Sequence, residues 1–352
     1  MTKEIGPSYV YVGAAHWTAG TRGGIFRRPV SGGSWERLGK GLPDDVHVHA
    51  ITVDPANPDV VYLGTHDGPY RSVDRGERWE RLDFPRGVQA WSVLVHPARP
   101  GVLYVGTSPV GVYRSDDAGE TWRRLEKAVL PERVKMPFAC RVMRMDVDPA
   151  RPDEIHAALE VGGVMRSVDG GETWEDGCAD LLKLAELPHL KSKIVSDTTA
   201  EGMLDGHAVT INPADPDAAI VALRMGLFRT KDGGKSWQDM EVGRFSPTTY
   251  GRDVKASPSE PNTLYAALSV AAASHDGGLY RSADGGKSWQ RFDKVQVHGT
   301  IMSIGLHHSD PKQVYIGARY DGEVFGTQDA GKTWQAMNLP GEVQHIYSVA
   351  CG

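Results

Sequence analysis

His49, His207 and His345 stand at corresponding places in a strand pattern that recurs along this chain. Aligning the first strand of each copy on its Val-Asp-Pro end puts the three at one level, beside Trp91, Met143, Arg252 and Met302 from the other copies. Neutral imidazoles converging from separate strands are what a divalent transition metal needs. Three such ligands with an open position suit Zn, Fe, Cu or Ni as a catalytic centre. One divalent metal on His49, His207 and His345 is thus the expected cofactor. The competing reading is a polar, watered channel whose histidines bond one another or backbone carbonyls.

Other reactive side chains gather around that level. Two residues earlier on the same strands come His47, Arg141, Asp205 and Tyr250. The upper ends of the following strands add His66, Glu160, Arg224 and Arg319, with His16 and His298 in neighbouring loops. A guanidinium grips carboxylate or phosphate through two parallel hydrogen bonds. Arg141, Arg224, Arg252 and Arg319 therefore read as a rim that receives a small anionic ligand, with His16, His47, His66 and His298 as further ligand contacts. The alternative is that these arginines form structural ion pairs with Glu160, Asp205 and Asp253. Glu160 is the candidate catalytic proton carrier.

The elements that must position these residues follow from a repeat. The octet Ser/Thr-x-Asp-x-Gly-x-x-Trp occurs at Ser72–Trp79, Ser115–Trp122, Ser167–Trp174, Thr230–Trp237, Ser282–Trp289 and Thr327–Trp334, with a worn copy ending at Trp35. Asp and hydroxyl two residues apart bond the N–H groups of a tight turn, Gly supplies the unusual φ, and Trp covers the hairpin. A site at every octet is implausible, whereas a folding staple at every octet is not. Each unit, roughly 45 to 60 residues long, reads as four strands, a to d, with the octet as the c–d turn. A motif of the type Asp54-Pro-Ala-Asn-Pro58 separates a from b. The chain begins with a b-like run at Tyr9–Gly13 and ends in an orphan a-like run at Val343–Val349. The last strand therefore completes the first unit. The expected fold is all-β: one seven-bladed β-propeller over 1–352, its four-stranded antiparallel blades closed into a ring by the C-terminal strand.

These motifs resemble the BNR/Asp-box repeat propellers over nearly the whole chain. The string Val-Asp-Pro-x-x-Pro-x-x-Val-Tyr…Tyr-Arg-Ser-x-Asp-x-Gly-x-x-Trp is most similar to xyloglucan-active endoglucanases and photosystem II assembly-factor propellers. Sialidases and the sortilin ectodomain are more distant. The assembly-factor resemblance implies a non-catalytic scaffold with a protein partner on the loop-bearing face. The endoglucanase resemblance implies a glycoside hydrolase, which needs two carboxyl groups across a cleft; only Glu160, Asp205 and Asp253 qualify as mouth carboxylates, and no pair stands out. Phe26-Arg-Arg-Pro29 resembles a sialidase motif, but it occupies the position of Tyr70-Arg71-Ser72 in the repeat.

Loop lengths vary only in the d–a and b–c connections, which leave one common face. The longest insertion, 176–205, contains a run with helical spacing at Ala179–Leu187. Variable loops on a regular scaffold are where binding usually sits. The formal net charge of −6 offers no footprint for nucleic acid. No apolar run is long enough to span a membrane, and the paired glycines at 23–24, 32–33, 162–163 and 170–171 are turn glycines, not a nucleotide-binding loop. With Cys140, Cys178 and Cys351 in no metal or redox spacing and no leader visible, the expected compartment is the cytoplasm.

Overall fold

A computed structural model of the chain describes residues 7–16, 19–191 and 202–352, and the backbone but not the side chain of residue 216. It consists of seven four-stranded antiparallel sheets, each ordered a-b-c-d from the ring axis outwards. The inner strands are Ile346–Cys351, Val48–Val53, Gln89–Val95, Val142–Val147, Gly206–Asn212, Tyr250–Ala256 and Ile301–Leu306, for blades 1 to 7. Blade 1 is closed as expected: Ile346–Cys351 pairs with Tyr9–Ala14, and Tyr9 exchanges backbone hydrogen bonds of 2.8 and 3.1 Å with Gly352. The helix at Ala179–Ala185 and the short turn of 3₁₀ helix at Pro188–Leu190 fall inside the anticipated insertion. Residues 192–201 of that insertion lie outside the described residues.

Apolar residues on both faces of the middle strands pack blade against blade, which explains why these strands read as near-continuous runs such as Val61-Tyr62-Leu63. The octet forms the turn its composition dictates. At Ser167–Trp174 the Ser167 hydroxyl accepts from Gly171 N (2.8 Å), the Asp169 carboxylate accepts from Thr173 N (2.9 Å), and Trp174 Nε1 donates to Gly171 O (2.8 Å). Gly171 has φ +95°, where a side chain would be strained and would strike Leu125. These bonds hold Asp117, Asp232, Asp284 and Asp329 at about 2, chiefly through the partner hydroxyl at Asp117 and Asp329, and against burial at the other two.

A second device closes the ring at its axis. One side chain on each inner strand bonds the backbone of the next blade's inner strand: Ser348 to Ile51 N, Thr52 to Val93 O, Ser92 to Val142 O, Asp146 to Ile211 N, Thr210 to Ala256 N, Asp253 to Ile304 N and Ser303 to Val349 N. Every junction carries one clasp of 2.7–3.1 Å. Replacing Ser303 by Ala, which strands the buried Val349 N–H, is expected to cost about 1–2 kcal/mol in urea unfolding. An unchanged midpoint would show the clasp to be energetically idle.

Candidate functional site

Trp91, Met143, Met302 and Tyr347 meet with Ala15 across the ring axis and form an apolar waist in the channel. Below it a cavity of about 270 Å³ is lined by Arg144, Asp146, Asp253 and Lys255. Above it, on the side of the variable loops, a pocket of about 280 Å³ opens between Trp91, Arg141, Glu160, Asp205, His207, Tyr250, Arg252 and Arg319. Phe138 from the loop between blades 3 and 4 and Ala272 from a b–c loop complete its wall.

The carboxylates of this pocket are already engaged. Glu160 pairs with Arg141 at 3.0 Å, and the Arg141 guanidinium lies 4.0 Å over the Trp91 ring. Asp205 receives Val161 N at 3.1 Å and faces His207 Nε2 at 3.1 Å. Burial works against its charge, but His207 and these bonds outweigh it and hold the carboxyl below its usual range. The Gly251 carbonyl sits 2.7 Å from His207 Nδ1 and can only accept, so Nδ1 carries the proton. Nε2 then accepts from the Tyr250 hydroxyl at 2.8 Å when the ring is neutral and can donate to Asp205 when it is charged. Burial raises the Tyr250 phenol, which stays protonated.

Arg252 differs from its neighbours. It is 7% exposed and lines the pocket, and Nε donates to Met302 Sδ at 3.3 Å. Among the described residues it forms no ion pair, although a buried guanidinium ordinarily requires one.

The metal triad expected from the sequence does not assemble. Among the described residues no group of three or more His, Cys, Asp or Glu is placed to hold a metal ion. His345 is misplaced by two residues. Its carbonyl accepts from Ala15 N, as His47 O accepts from His66 N, Arg141 O from Glu160 N and Asp205 O from Arg224 N. It therefore belongs to the upper row, and Tyr347 holds the level of His49 and Trp91. Blade 1 has no Val-Asp-Pro at the end of its inner strand, so the alignment had no anchor there. His49 is buried, stacked on Trp91 at 3.9 Å, with Nδ1 3.2 Å from Ala90 O. It packs the waist.

The expected ligand contacts separate into groups. Arg141, Arg252 and Arg319 come together at the mouth with Glu160 and His207; Arg224 is buried, its N–H bonded to Asp205 O. His16, His47 and His66 form their own rim cluster, with ring centroids 6.1 and 4.8 Å apart and Asp45 at 3.7 and 3.8 Å from the first two. His298 is mostly exposed and pairs with Glu323 at 2.7 Å, outside the pocket. Of the structural ion pairs expected for the arginines, Arg141–Glu160 is present, and among the described residues Arg252 forms none.

The profile described as Sortilin-Vps10 (sortilin, neurotensin receptor 3) matches residues 277–350. The xyloglucanase Xgh74A of Acetivibrio thermocellus is 25% identical over 191 residues, 45% of this chain and 21% of that protein. The chain thus spans about a fifth of the length of the curated relatives it matches. Among solved structures, the GH74 xyloglucanase of Xanthomonas campestris superposes with a TM-score of 0.66 at 17% identity, over 99% of this chain and 52% of that one. YCF48 from Cyanidioschyzon merolae gives 0.59 at 16%, over 88% and 90%. A structure of YCF48 bound to D1 peptide gives 0.53 at 14%, over 84% and 83%. The chain is a seven-bladed β-propeller. The propeller shares its frame with xyloglucanases and with YCF48 alike, so its function has to be argued from its own mouth.

Proposed function

We propose that this propeller binds a small carboxylate-bearing molecule at the loop-side mouth of its channel. The observation that carries the reading is Arg252, a buried guanidinium facing a pocket whose carboxylates, Glu160 and Asp205, are engaged by Arg141 and His207. A carboxylate in the pocket would give Arg252 a direct ion-pair partner beyond the longer-range pull of Asp205, with Arg319 beside it and Phe138, Met143 and Met302 against the rest of the ligand. About 280 Å³ suits a metabolite rather than a polysaccharide chain. Hydrolysis of a glycan has less support, since neither Glu160 nor Asp205 stands free for acid–base work.

Isothermal titration with a panel of small mono- and dicarboxylates tests the reading. Arg252→Gln is expected to weaken the best ligand about 10- to 100-fold while leaving the fold intact, because it removes a buried charge that lacks a partner. Equal affinity in wild type and Arg252→Gln would reject the site.

A second reading is a protein partner on the same face. Val129, Phe138 and Val270 are 55, 40 and 53% exposed on the variable loops, and one structural neighbour was solved with a peptide. Such binding would centre on the loop from 125 to 138 and be indifferent to Arg252→Gln.

A further inference from the structure

The octets fall into two sets that differ at one position. Before the Ser/Thr/Arg that precedes Trp, blades 2 to 4 carry Glu77, Glu120 and Glu172, whereas blades 5 to 7 carry Lys235, Lys287 and Lys332. The residue after Trp changes with it: Glu36, Glu80 and Glu175 in blades 1, 2 and 4, but Gln238, Gln290 and Gln335 in blades 5 to 7. Both positions surround the arginine of strand c, and their identity decides how one blade meets the next.

Where the acids are present, the junction is sealed. Arg27 holds Glu36 and Glu77, each at 2.6 Å, and donates to Arg75 O at 2.8 Å across the blade 1–2 junction. Arg71 repeats this with Glu80, Glu120 and Ala118 O. At the next junction Arg123 takes Glu172 and Arg114 reaches Gly170 O. Between blades 4 and 5, where Lys235 first appears, blade 4 supplies its own acid, Glu154, to Arg166 at 3.0 Å, and Arg151 crosses to Asp217 at 2.7 Å.

Between blades 6 and 7 both acids are gone, and a cleft of about 460 Å³ lies there, lined by Arg281, Gln290, Arg291, Lys294 and Lys332 against a single acidic residue, Asp293. Arg281 keeps one carboxylate, Glu260 at 3.2 Å, and Trp289, whose Nε1 is buried without a hydrogen-bond partner, forms part of the cleft wall. Among the described residues Arg291 forms no ion pair. At the blade 5–6 junction Arg229 stands opposite Gln238 and shares a cleft of about 380 Å³ with Lys231 and Lys287, but here Asp215 and Asp284 balance the charge. Like charges cannot close the blade 6–7 junction as the Arg–Glu pairs close the sealed ones.

We infer that the blade 6–7 cleft is a binding site for the oxyanion group of a small ligand, carboxylate or phosphate, which takes the place that Glu77 and Glu120 fill at the sealed junctions. The chain itself shows the chemistry of the occupant: at equivalent arginines it is a carboxylate. Trp289 and Phe292 give the remainder of the ligand an apolar wall. This site lies on the octet side of the ring, away from the mouth, and is independent of Arg252.

The experiment follows the Trp289 indole N–H resonance, assigned by Trp289→Phe, in an Arg252→Gln background that weakens the mouth site. Inorganic phosphate and malonate are titrated separately at constant ionic strength set with chloride. A saturable shift with phosphate alone assigns a phosphate ligand, with malonate alone a carboxylate ligand, and with both the shared oxyanion. The double variant Gln290→Glu/Lys332→Glu restores the acids, and is expected to abolish the shift and raise the thermal midpoint in chloride. Lys332→Gln, a milder change, is expected to weaken binding about tenfold. No saturable shift with either anion, or the same shift and affinity in Lys332→Gln and in the double variant, would overturn the inference.

Discussion

Ending the chain at Gln344 is expected to abolish the cooperative fold. The strand Ile346–Cys351 is the inner strand of blade 1, and no other segment can take its place in the ladder with Tyr9–Ala14. Ile346, Tyr347, Val349 and Cys351 are at most 6% exposed. Burial of such side chains contributes about 1.5–3 kcal/mol each, before the ladder bonds are counted. Two of the axial clasps, Ser348 to Ile51 and Ser303 to Val349, would vanish with the strand, as would the waist contact between Tyr347 and Trp91. Together these approach 10 kcal/mol, which is comparable to the whole stability of an ordinary domain. Circular dichroism and size exclusion of the shortened chain should show a broad, non-cooperative melt and an expanded radius. A sharp transition within a few degrees of the full-length protein would mean that the ring tolerates being open.

The frame was legible because it is written in repeats of apolar alternation and turn chemistry, which act locally. Ser167, Asp169, Gly171 and Trp174 specify their turn without help from any other blade, so the c–d turns and the blade count followed from spacing alone. The level of each channel residue is a register question, and register is carried by long-range pairing. Six inner strands end in a residue-Pro signal or a close variant that marks the register, and there His49, Trp91, Met143, His207, Arg252 and Met302 fell where expected. Blade 1 lacks the signal because its inner strand comes from the other end of the chain, and there the level slipped from Tyr347 to His345. The ion pairs at the mouth were open to two readings for a different reason: whether Arg141 meets Glu160 or a ligand depends on side-chain reach across a ring, which no local pattern encodes. The Glu-to-Lys exchange within the octets was visible in the sequence, but its meaning required knowing that this position faces the strand-c arginine of the preceding blade.

Lowering the pH from 7.5 to 4.5 is expected to erode the stability of the propeller, and His49 should account for a measurable part of the loss. Its imidazole is sealed against Trp91 and Tyr347, and burial, with help from Arg141, His47 and His66, depresses its pKa to about 3 against the pull of the Ala90 carbonyl. A group whose folded pKa lies below its unfolded value near 6.5 contributes fully above pH 6.5 and loses that contribution as the pH falls towards 3. At pH 4.5 the unfolded chain holds the proton and the folded chain resists it, which is worth about 2–3 kcal/mol. His49→Phe keeps the stack on Trp91 and removes the titration, at the expense of the bond to Ala90 O. Urea midpoints of the two proteins should therefore converge or cross between pH 7.5 and pH 4.5, with the variant favoured on the acid side. Asp117, Asp232, Asp284 and Asp329 do not enter this window: their carboxyls, held at about 2, release their stability only between about pH 4 and pH 2, and they are the same in both proteins. Parallel curves across the whole range would place His49 in contact with water and would remove it from the waist that separates the mouth from the lower channel.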